Sequence, residues 1–599
     1  MTRFAAPAVD RSPAAGGGGA GAGKGPAPAL RRTAATRRIS RTASRTASLV
    51  ALATWLLGVL TVVSALLPPE RSRFRLVTEL LPYQAADSAA AVAAALGVLL
   101  LYIAGGLRRR KRRAWTAAVA VTLVVALSHL AKGLDVEEAA ASVAVLVLLL
   151  ACRREFRAEV DPAGRGIAVR RFLQLAGLGS GIGLLLLTVY DDGLAGSPSF
   201  GDKLREVLLG LVGVSGPVRF TSDRPADLVG STLLAFGLLT VLVTAYFVLR
   251  SAEPAAALAP GEETRLRGLL ERNGRRDSLG YFALRRDKSV VWSPSGKAAV
   301  AYRVLHGVLL ASGDPIGDPE AWPGAIDAAL ELARRHAWTP AVIGAGERGA
   351  TVWARHGLSA YELGDEAVLD VATFGLEGRA MRGVRQAVSR VERAGVTACV
   401  RRAAEVDAGE LRELTSRAAA WRDGGVERGF SMALSRIGDP ADPCCVVVTA
   451  RRADGSLCGL LHFVPWGPDG LSLDLMRRAR DADNGLNEFL VVALAAAAPA
   501  LGVRRLSLNF AVLRAALERG ERLGAGPVSR AWRALLLLAS HWWQIETLYR
   551  FNAKFRPAWE PRFLCYPSAR DLPRVALAAL EAEAFLARPG AVRRLLRRD

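Results

Sequence analysis

The chain has 599 residues, a net charge of +23 and 51% hydrophobic residues, which is enough sequence for two or three domains. A basic excess of this size predicts anionic partners, either nucleic acid or anionic lipid. The six cysteines form no CxxC pair and no histidine follows them at a zinc-ligand interval, so no metal site is expected. Six scattered histidines, with no GxSxG, HExxH or P-loop motif, give little support to histidine-centred catalysis.

The first 250 residues are predicted to be a membrane unit behind a basic arm. Residues 1–47 are low in complexity and rich in Gly, Ala and Arg, so we expect them to be disordered. Six apolar runs follow in residues 48–250, which predicts about six transmembrane helices; the fourth run is short, so five is the alternative count. The runs are 49–67, 86–107, 114–131, 138–152, 171–190 and 227–249.

The positive charges set the expected orientation of these spans. The arginines before the first span, "RRRKRR" (108–113) and the arginines between the fourth and fifth spans all fall on one side, whereas "GLDVEEA" (133–139) and "YDDG" (190–193) fall on the other. The N-terminus and everything after residue 250 are therefore expected in the cytoplasm of a multi-pass cell-membrane protein. Apart from Lys203, no cluster of ionisable residues is evident inside the spans, which favours a plain anchor over a lipid-moving module.

After a linker at 251–269, residues 270–599 read as an α/β domain with a mixed sheet. Short β-like runs such as "AAVAYRV", "HGVLLASG", "PAVIGA" and "LCGLLHFVPW" alternate with helices at 325–337, 377–395 and 487–502. The strand–helix pattern appears around 281–365 and again around 444–512, which predicts two similar subdomains packed together.

Four stretches of this domain are rich in polar side chains, and each has a plain structural alternative. They are the turn "ASGDPIGDP" (311–319), the basic helix at 377–395, the strand-to-helix stretch "LSLDLMRRARDADNGLNEFL" (471–490), and 542–566, where aromatic residues interleave with cations. Phosphate binding or base stacking would use such residues. A capped loop, a solvated helix face, a surface ion-pair cluster and a half-buried helix would use them equally well.

Taken together, these stretches resemble the C-terminal catalytic domain of the phosphatidylglycerol lysyltransferases, the aminoacyl-phosphatidylglycerol synthases of the multiple-peptide-resistance-factor family. The resemblance is closest to the actinobacterial form, in which this unit is fused to a lysyl-tRNA synthetase. The segments that carry it run in order along the chain: 281–304, 312–319, 421–440, 465–491, 506–514, 524–533 and 548–568.

The resemblance implies two GNAT-like subdomains behind a polytopic membrane region. It also implies a reaction in which a glycerol hydroxyl of phosphatidylglycerol attacks the ester of an aminoacyl-tRNA, most simply lysyl-tRNA. No metal or other cofactor is implied. The more cationic lipid that results would repel cationic antimicrobial peptides. Because no synthetase follows the domain here, a separate enzyme is expected to supply the charged tRNA, and homo-oligomerisation stays open.

On this resemblance the catalytic set is Asp474, Arg477 and Glu488, with Asp474 binding an ammonium group of the amino acid and Arg477 a phosphate. The implied substrate-binding residues are Asp314, Asn484, Asn509, Glu546, Arg550, Lys554 and Arg562. Arg550, Lys554 and Arg562 are expected to grip phosphates. Two other functions remain open: a GNAT-like aminoacyl-tRNA-dependent transferase with another lipid or peptide acceptor, and a membrane-tethered module that binds RNA or lipid without catalysis.

Overall fold

The computed structural model describes residues 28–66, 83–133, 136–156, 158, 163–250, 253–422, 429–512 and 545–586. Its first part is helical. The helices are α1 (Pro28–Leu66), α2 (Tyr83–Arg108), α3 (Arg112–Gly133), α4 (Val136–Ala151), α5 (Ala163–Val189), α6 (Phe200–Gly210) and α7 (Asp223–Leu249).

Each of the six predicted apolar runs overlaps one of these helices, and the first, fourth and fifth runs extend one residue past the described end of theirs. Three helical segments of the described part are long and apolar enough to cross a membrane: Thr46–Ala65, Gly166–Val189 and Arg224–Leu249. The count of six spans and their orientation therefore stay predictions. The first helix differs from expectation because it begins at Pro28, inside the stretch predicted to be disordered. Alanine and arginine are good helix formers, so this part of the arm can extend the first span.

A polar cluster joins three of these helices, contrary to the prediction that the spans hold no ionisable cluster. The Nδ1 atom of His129, in the last turns of α3, lies 2.7 Å from Glu138 Oε2 in the first turn of α4. Ser64 of α1 donates a 2.6 Å hydrogen bond to the same carboxylate. The sequence hid this cluster because its members lie on three separate runs that only tertiary packing brings together.

The second part of the chain is an α/β domain with one continuous mixed sheet. The strands are β1 (Ser289–Trp292), β2 (Ala298–Leu305), β3 (Val308–Ser312), β4 (Ile316–Gly317), β5 (Thr339–Ala345), β6 (Ser359–Asp370), β7 (Thr397–Arg402), β8 (Val446–Arg451), β9 (Leu457–Trp466), β10 (Gly470–Arg478), β11 (Arg505–Val512) and β12 (Ala558–Tyr566). The helices are α8 (Pro260–Asn273), α9 (Trp322–Arg335), α10 (Glu347–Arg355), α11 (Arg382–Arg393), α12 (Ala408–Trp421), α13 (Leu486–Ala497), α14 (Ile545–Ala553) and α15 (Leu572–Ala582).

The strand order, β1-β2-β3-β5-β12-β6-β11-β10-β9-β8-β7, contains the same pattern twice. In the first half, the antiparallel strands β1, β2 and β3 end in the parallel pair β3–β5, and α9 lies between those two strands in sequence. In the second half, β7, β8, β9 and β10 end in the parallel pair β10–β11, with α13 between. The predicted fold class, a helical membrane region followed by an α/β domain of two similar subdomains, is confirmed.

Apolar cores cover both faces of the sheet. In the second half, one face packs on α11 and α13, through residues such as Val388 and Leu490. The opposite face packs on α8 and α12, through residues such as Leu266 and Leu414. Helix α8 begins at Pro260 and contributes to this core, so the domain starts within the stretch predicted to be a linker.

Candidate active site

The parallel strands β10 and β11 part after a short paired stretch. Their pairing covers only Gly470–Ser472 against Arg505–Ser507. Beyond it, β10 changes register against β9 at Asp474, and β11 changes register against β6 next to Asn509. Each irregularity re-aims the side chains that follow it, as bulges beside active sites do.

Asn509 bridges the parted strands. Its backbone adopts φ 67°, a left-handed conformation that asparagine tolerates better than most residues. From this position its Nδ2 donates a 2.6 Å hydrogen bond to the carbonyl of Leu473 on β10. The predicted site residue Asn509 therefore lies directly beside Asp474.

Asp474 is buried, and both of its carboxylate oxygens accept hydrogen bonds from the protein. Oδ1 accepts from the backbone N–H of Leu434, and Oδ2 lies 2.6 Å from Nδ1 of His462. The side chains of Asp474 and His462 are 4% and 1% exposed. Asp474 is predicted to bind a substrate ammonium group, but each of its carboxylate oxygens already accepts a hydrogen bond from within the protein. Arg477, further along β10, is half-buried, and its Nη1 donates to the carbonyl of Met476 at 3.2 Å.

His462 is the site residue that sequence reasoning missed. It occupies a strand whose even-numbered neighbours Leu460 and Val464 belong to one core and whose odd-numbered neighbours belong to the other. Strand alternation therefore places His462 on the face covered by α8 and α12. A signal was present in the sequence, since "LLHFVPW" puts one polar residue inside an apolar strand that a short turn joins to the strand of Asp474.

A second group of predicted residues lies on the opposite face of the sheet. Glu488, in the first turn of α13 and 8% exposed, accepts a 2.6 Å hydrogen bond from Nζ of Lys554, which follows α14. These two residues and Asn484 line a cavity of about 330 Å³ between α11, α13 and the end of α14. Arg390 of α11 also lines it and donates to the Asn484 carbonyl at 3.3 Å.

The basic helix at 377–395 forms α11 and is amphipathic. Val384, Val388 and Val391 are buried, whereas Arg382, Arg390 and Arg393 are exposed. Arg550, on α14, is exposed as well. The side chain of Glu546 lies outside the described residues, as does the resemblance segment 524–533.

Arg562 and Asp314 belong to a third group, in the interior between the two halves. The buried Arg562 guanidinium lies 2.7 Å from Asp277 and 2.5 Å from Glu366, and it donates to Ser278 Oγ at 2.6 Å. Burial alone would lower the pKa of Arg562, but the carboxylates of Glu366 and Asp277 hold it above its usual range. Because the guanidinium binds internal partners, the prediction that Arg562 binds phosphate is corrected. Arg562 instead forms ion pairs in the interior between the two halves.

Asp314 is likewise an internal residue. It accepts a 2.8 Å hydrogen bond from Gly346 N at the start of α10, and its own N–H donates to Asp277 at 2.9 Å. Burial and the Asp277 charge raise the pKa of Asp314 to about 7. Asp314 is predicted to contact the substrate, but in the structure it caps the start of α10.

A further cavity of about 740 Å³ has none of the predicted residues in its lining. It lies at the opposite ends of β10 and β11, where Gly470 and Val503 contribute to its wall together with Arg267, Tyr281 and Arg402. This cavity therefore lies apart from the region near Asp474 where β10 and β11 separate.

Comparison with known proteins places both parts of the chain. Residues 267–566 match the family described as phosphatidylglycerol lysyltransferase, C-terminal, and residues 42–249 match the transmembrane region of lysyl-tRNA synthetase. The chain is 44% identical over 504 residues to the lysylphosphatidylglycerol biosynthesis bifunctional protein LysX of Mycobacterium avium (strain 104), an alignment that covers 82% of this chain and 42% of that protein. The chain thus spans about half the length of the curated relatives that it matches.

Two solved structures were compared as well. The C-terminal domain of a putative lysylphosphatidylglycerol synthetase from Agrobacterium fabrum aligns with 54% of this chain and 98% of its own, at 25% identity and a TM-score of 0.47. A GCN5-related N-acetyltransferase from Kribbella flavida aligns with 53% of this chain and 98% of its own, at 14% identity and a TM-score of 0.26.

Proposed function

This chain belongs to the phosphatidylglycerol lysyltransferase family, and we propose that it transfers a lysyl group from lysyl-tRNA to a glycerol hydroxyl of phosphatidylglycerol. The reaction exchanges one ester for another, so the protein has to supply positioning, charge complementarity and proton transfer. The relatives named for lysylphosphatidylglycerol biosynthesis support this proposal.

The observation that carries the lysyl proposal is the pair of Glu488 and Lys554. A carboxylate that is 8% exposed holds a lysine ammonium group at 2.6 Å beside an open cavity. The ammonium group of a lysyl ester has the same charge and the same flexible stem as Lys554. We infer that the substrate displaces Lys554 from Glu488, which frees Lys554 to contact a phosphate.

The surroundings of this cavity support an RNA-linked donor. Arg382, Arg390 and Arg393 of α11, together with Arg550 of α14, present cations on the same face of the sheet. Backbone phosphates of the tRNA acceptor end are the partners that such a surface binds in a salt-dependent way. Asn484, which also lines the cavity, is proposed to contact the donor there.

Location and product complete the proposal. The helical part, about 48–250, would hold the α/β domain at the cytoplasmic leaflet, where phosphatidylglycerol is available. The domain begins near residue 260, soon after the last helix of that part. A lysylated lipid carries more positive charge, which reduces the attraction of cationic antimicrobial peptides to the membrane.

The test uses the full chain in detergent with phosphatidylglycerol micelles and radiolabelled lysyl-tRNA or alanyl-tRNA, and follows label into the chloroform phase. We expect label from lysyl-tRNA. Transfer from neither donor by folded protein would overturn the proposal, and label from alanyl-tRNA alone would overturn its lysyl part.

A variant pair tests the role of Glu488. Glu488→Gln keeps the shape but loses the charge, and we expect the KM for lysyl-tRNA to rise about 10- to 100-fold, the value of a charge-assisted hydrogen bond. Glu331→Gln, which alters an exposed ion pair on α9, is the matched control. An unchanged KM in Glu488→Gln would remove Glu488 from lysyl recognition.

A further inference from the structure

We propose that His462 is the general base of the transfer and that Asp474 is the residue that positions it. The inference rests on the proposed function and deepens it, because neither the family match nor the sequence motifs assign a base. It starts from the hydrogen bonds of Asp474, one of whose oxygens faces the His462 imidazole.

The hydrogen bonds fix which nitrogen of His462 is available. Asp474 Oδ1 accepts from the Leu434 N–H, so the carboxylate is oriented before the imidazole meets it. Oδ2, 2.6 Å from Nδ1, then acts as the acceptor, which places a hydrogen on Nδ1. In the neutral imidazole, Nε2 therefore keeps its lone pair and can accept a proton. Within the described residues, the His462 imidazole makes no hydrogen bond other than the one to Asp474.

The position of the pair in the sheet also fits a base. His462 lies opposite Leu475 across the register shift of β10, the point where β10 begins to leave β11. Asn509 bridges the two strands at the adjacent residue, Leu473. The gap between two diverging parallel strands is a place where the ester of lysyl-tRNA and the glycerol hydroxyl can approach the sheet away from its edges.

The neighbouring thiol of Cys445 is a poor alternative nucleophile. Burial raises the pKa of Cys445 well above its usual value, and the charges of Asp442 and Asp474 raise it further. A thiol in this state stays protonated at neutral pH, and the thiolate is the reactive form. Proton acceptance by imidazole is the chemistry that this cluster offers.

The proposed step balances without an oxidant, a metal or an external acid. The glycerol oxygen attacks the ester carbonyl of lysyl-tRNA while its proton moves to Nε2 of His462. The tetrahedral intermediate then breaks the bond between the carbonyl carbon and the ribose oxygen, which takes the proton back from Nε2. Asp474 stabilises the imidazolium that exists between the two proton transfers.

A second histidine–carboxylate pair provides a control. His306 Nε2 lies 2.6 Å from Glu581 in the first half of the domain, and its side chain is 29% exposed. The two pairs share the 2.6 Å distance, but the nitrogen is Nε2 in His306 and Nδ1 in His462, and the locations differ. Only the pair at the parted strands is expected to affect the reaction.

The experiment compares His462→Asn with His306→Asn in the full chain, with kcat, KM and thermal unfolding measured for each. Asparagine can still donate to Asp474 from the position of Nδ1 but has no atom at Nε2, so a purely structural role would survive the change. We expect kcat of His462→Asn to fall about 10²- to 10⁴-fold at similar KM and stability. His306→Asn is expected to keep the kcat of the unmodified protein.

The pH profile gives a second readout, in which the unmodified protein is compared with His462→Asn. Transfer should weaken on acidification because protonated Nε2 cannot accept a proton, and this acidic decline should be absent from the residual activity of His462→Asn. A kcat within threefold of the unmodified protein, or an acidic decline that persists in the variant, would overturn the role of His462. If the unmodified protein transfers no label at all, the proposed function fails instead, so the two failures are distinguishable.

Discussion

The two halves of the sheet repeat one strand pattern but close it differently. In the first half, β3 pairs with β5 along its whole length, Val308–Ser312 against Thr339–Ile343. In the second half, β10 pairs with β11 over three residues before the strands part. The parallel pair of the first half is therefore continuous, whereas the parallel strands of the second half separate. We call these halves the closed half and the divided half.

Charged groups follow the same division. Arg562, Asp277 and Glu366, in the interior between the two halves, are at most 9% exposed, and the single guanidinium pairs with both carboxylates. Around the divided half, the side chain of Lys554 is 50% exposed and Arg390 is exposed beside a cavity. The junction between the halves thus holds charges that pair internally, whereas the divided half presents charges to ligands, so variants at the two places should separate stability from substrate binding.

The largest effect is expected from Arg562→Met, in the interior between the two halves. Methionine fills much of the volume but leaves Asp277 and Glu366 buried without their cation. Breaking a buried ion pair by removing one partner costs about 3–5 kcal/mol. Thermal or denaturant unfolding in detergent should show the loss.

Arg334→Met is the control, because Arg334 forms an exposed pair with Glu331 on the surface of α9. Exposed pairs contribute about 1 kcal/mol or less. Equal stability losses in the two variants would mean that the buried cluster does not hold the halves together.

Much of this division could be predicted from the sequence, but its centre could not. The runs "AAVAYRV", "PAVIGA" and "LCGLLHFVPW" coincide with β2, β5 and β9 because their apolar residues fill both faces. Strand β6, which joins the halves, escaped because Asp365 and Glu366 interrupt its apolar pattern. The buried Glu366 is paired there with Arg562, which is distant in sequence.

The site divided in the same way. Asn484, Glu488 and Lys554 were predicted together and line one cavity. Arg562 and Asp314 were misread because a charged residue in a strand or a turn looks the same whether its partner is a substrate or a buried side chain. His462 escaped because its partner, Asp474, becomes a neighbour only when β9 pairs with β10.

A smaller stability effect is expected from Gly485→Ala, in the divided half. Gly485 has φ 106°, and a Cβ there would approach the Cβ of Ala387 to 2.8 Å, which would push α11 away from α13. We expect a loss of about 1–3 kcal/mol. Gly383→Ala, on α11 with no atom near its Cβ position, should instead gain about 0.5–1 kcal/mol. Matching losses in the two would refute the close helix contact.

Arg390→Gln should affect ligand binding with little effect on stability. Arg390 lines the cavity on the proposed RNA surface. We expect the KM for lysyl-tRNA to rise roughly three- to tenfold and the slope of its logarithm against the logarithm of salt concentration to fall by about one. Arg334→Gln is the control in the first half. An Arg390→Gln variant with the unchanged salt slope would place the RNA elsewhere.

The smallest effect concerns pH and Asp314. Because folding raises the pKa of this carboxyl to about 7, the folded state binds its proton more tightly than the unfolded state does. The stability that this group contributes is full below pH ~4, its unfolded value, and is lost as the pH rises through about 7. Asp314→Asn cannot ionise, so its Tm should fall less between pH 5 and pH 8 than the Tm of the unmodified protein. Asp327→Asn, at an exposed position on α9, should follow the unmodified protein. Parallel pH dependence in Asp314→Asn and the unmodified protein would mean that Asp314 stays ionised in the folded state. The Arg562 charge would then outweigh burial and the Asp277 charge.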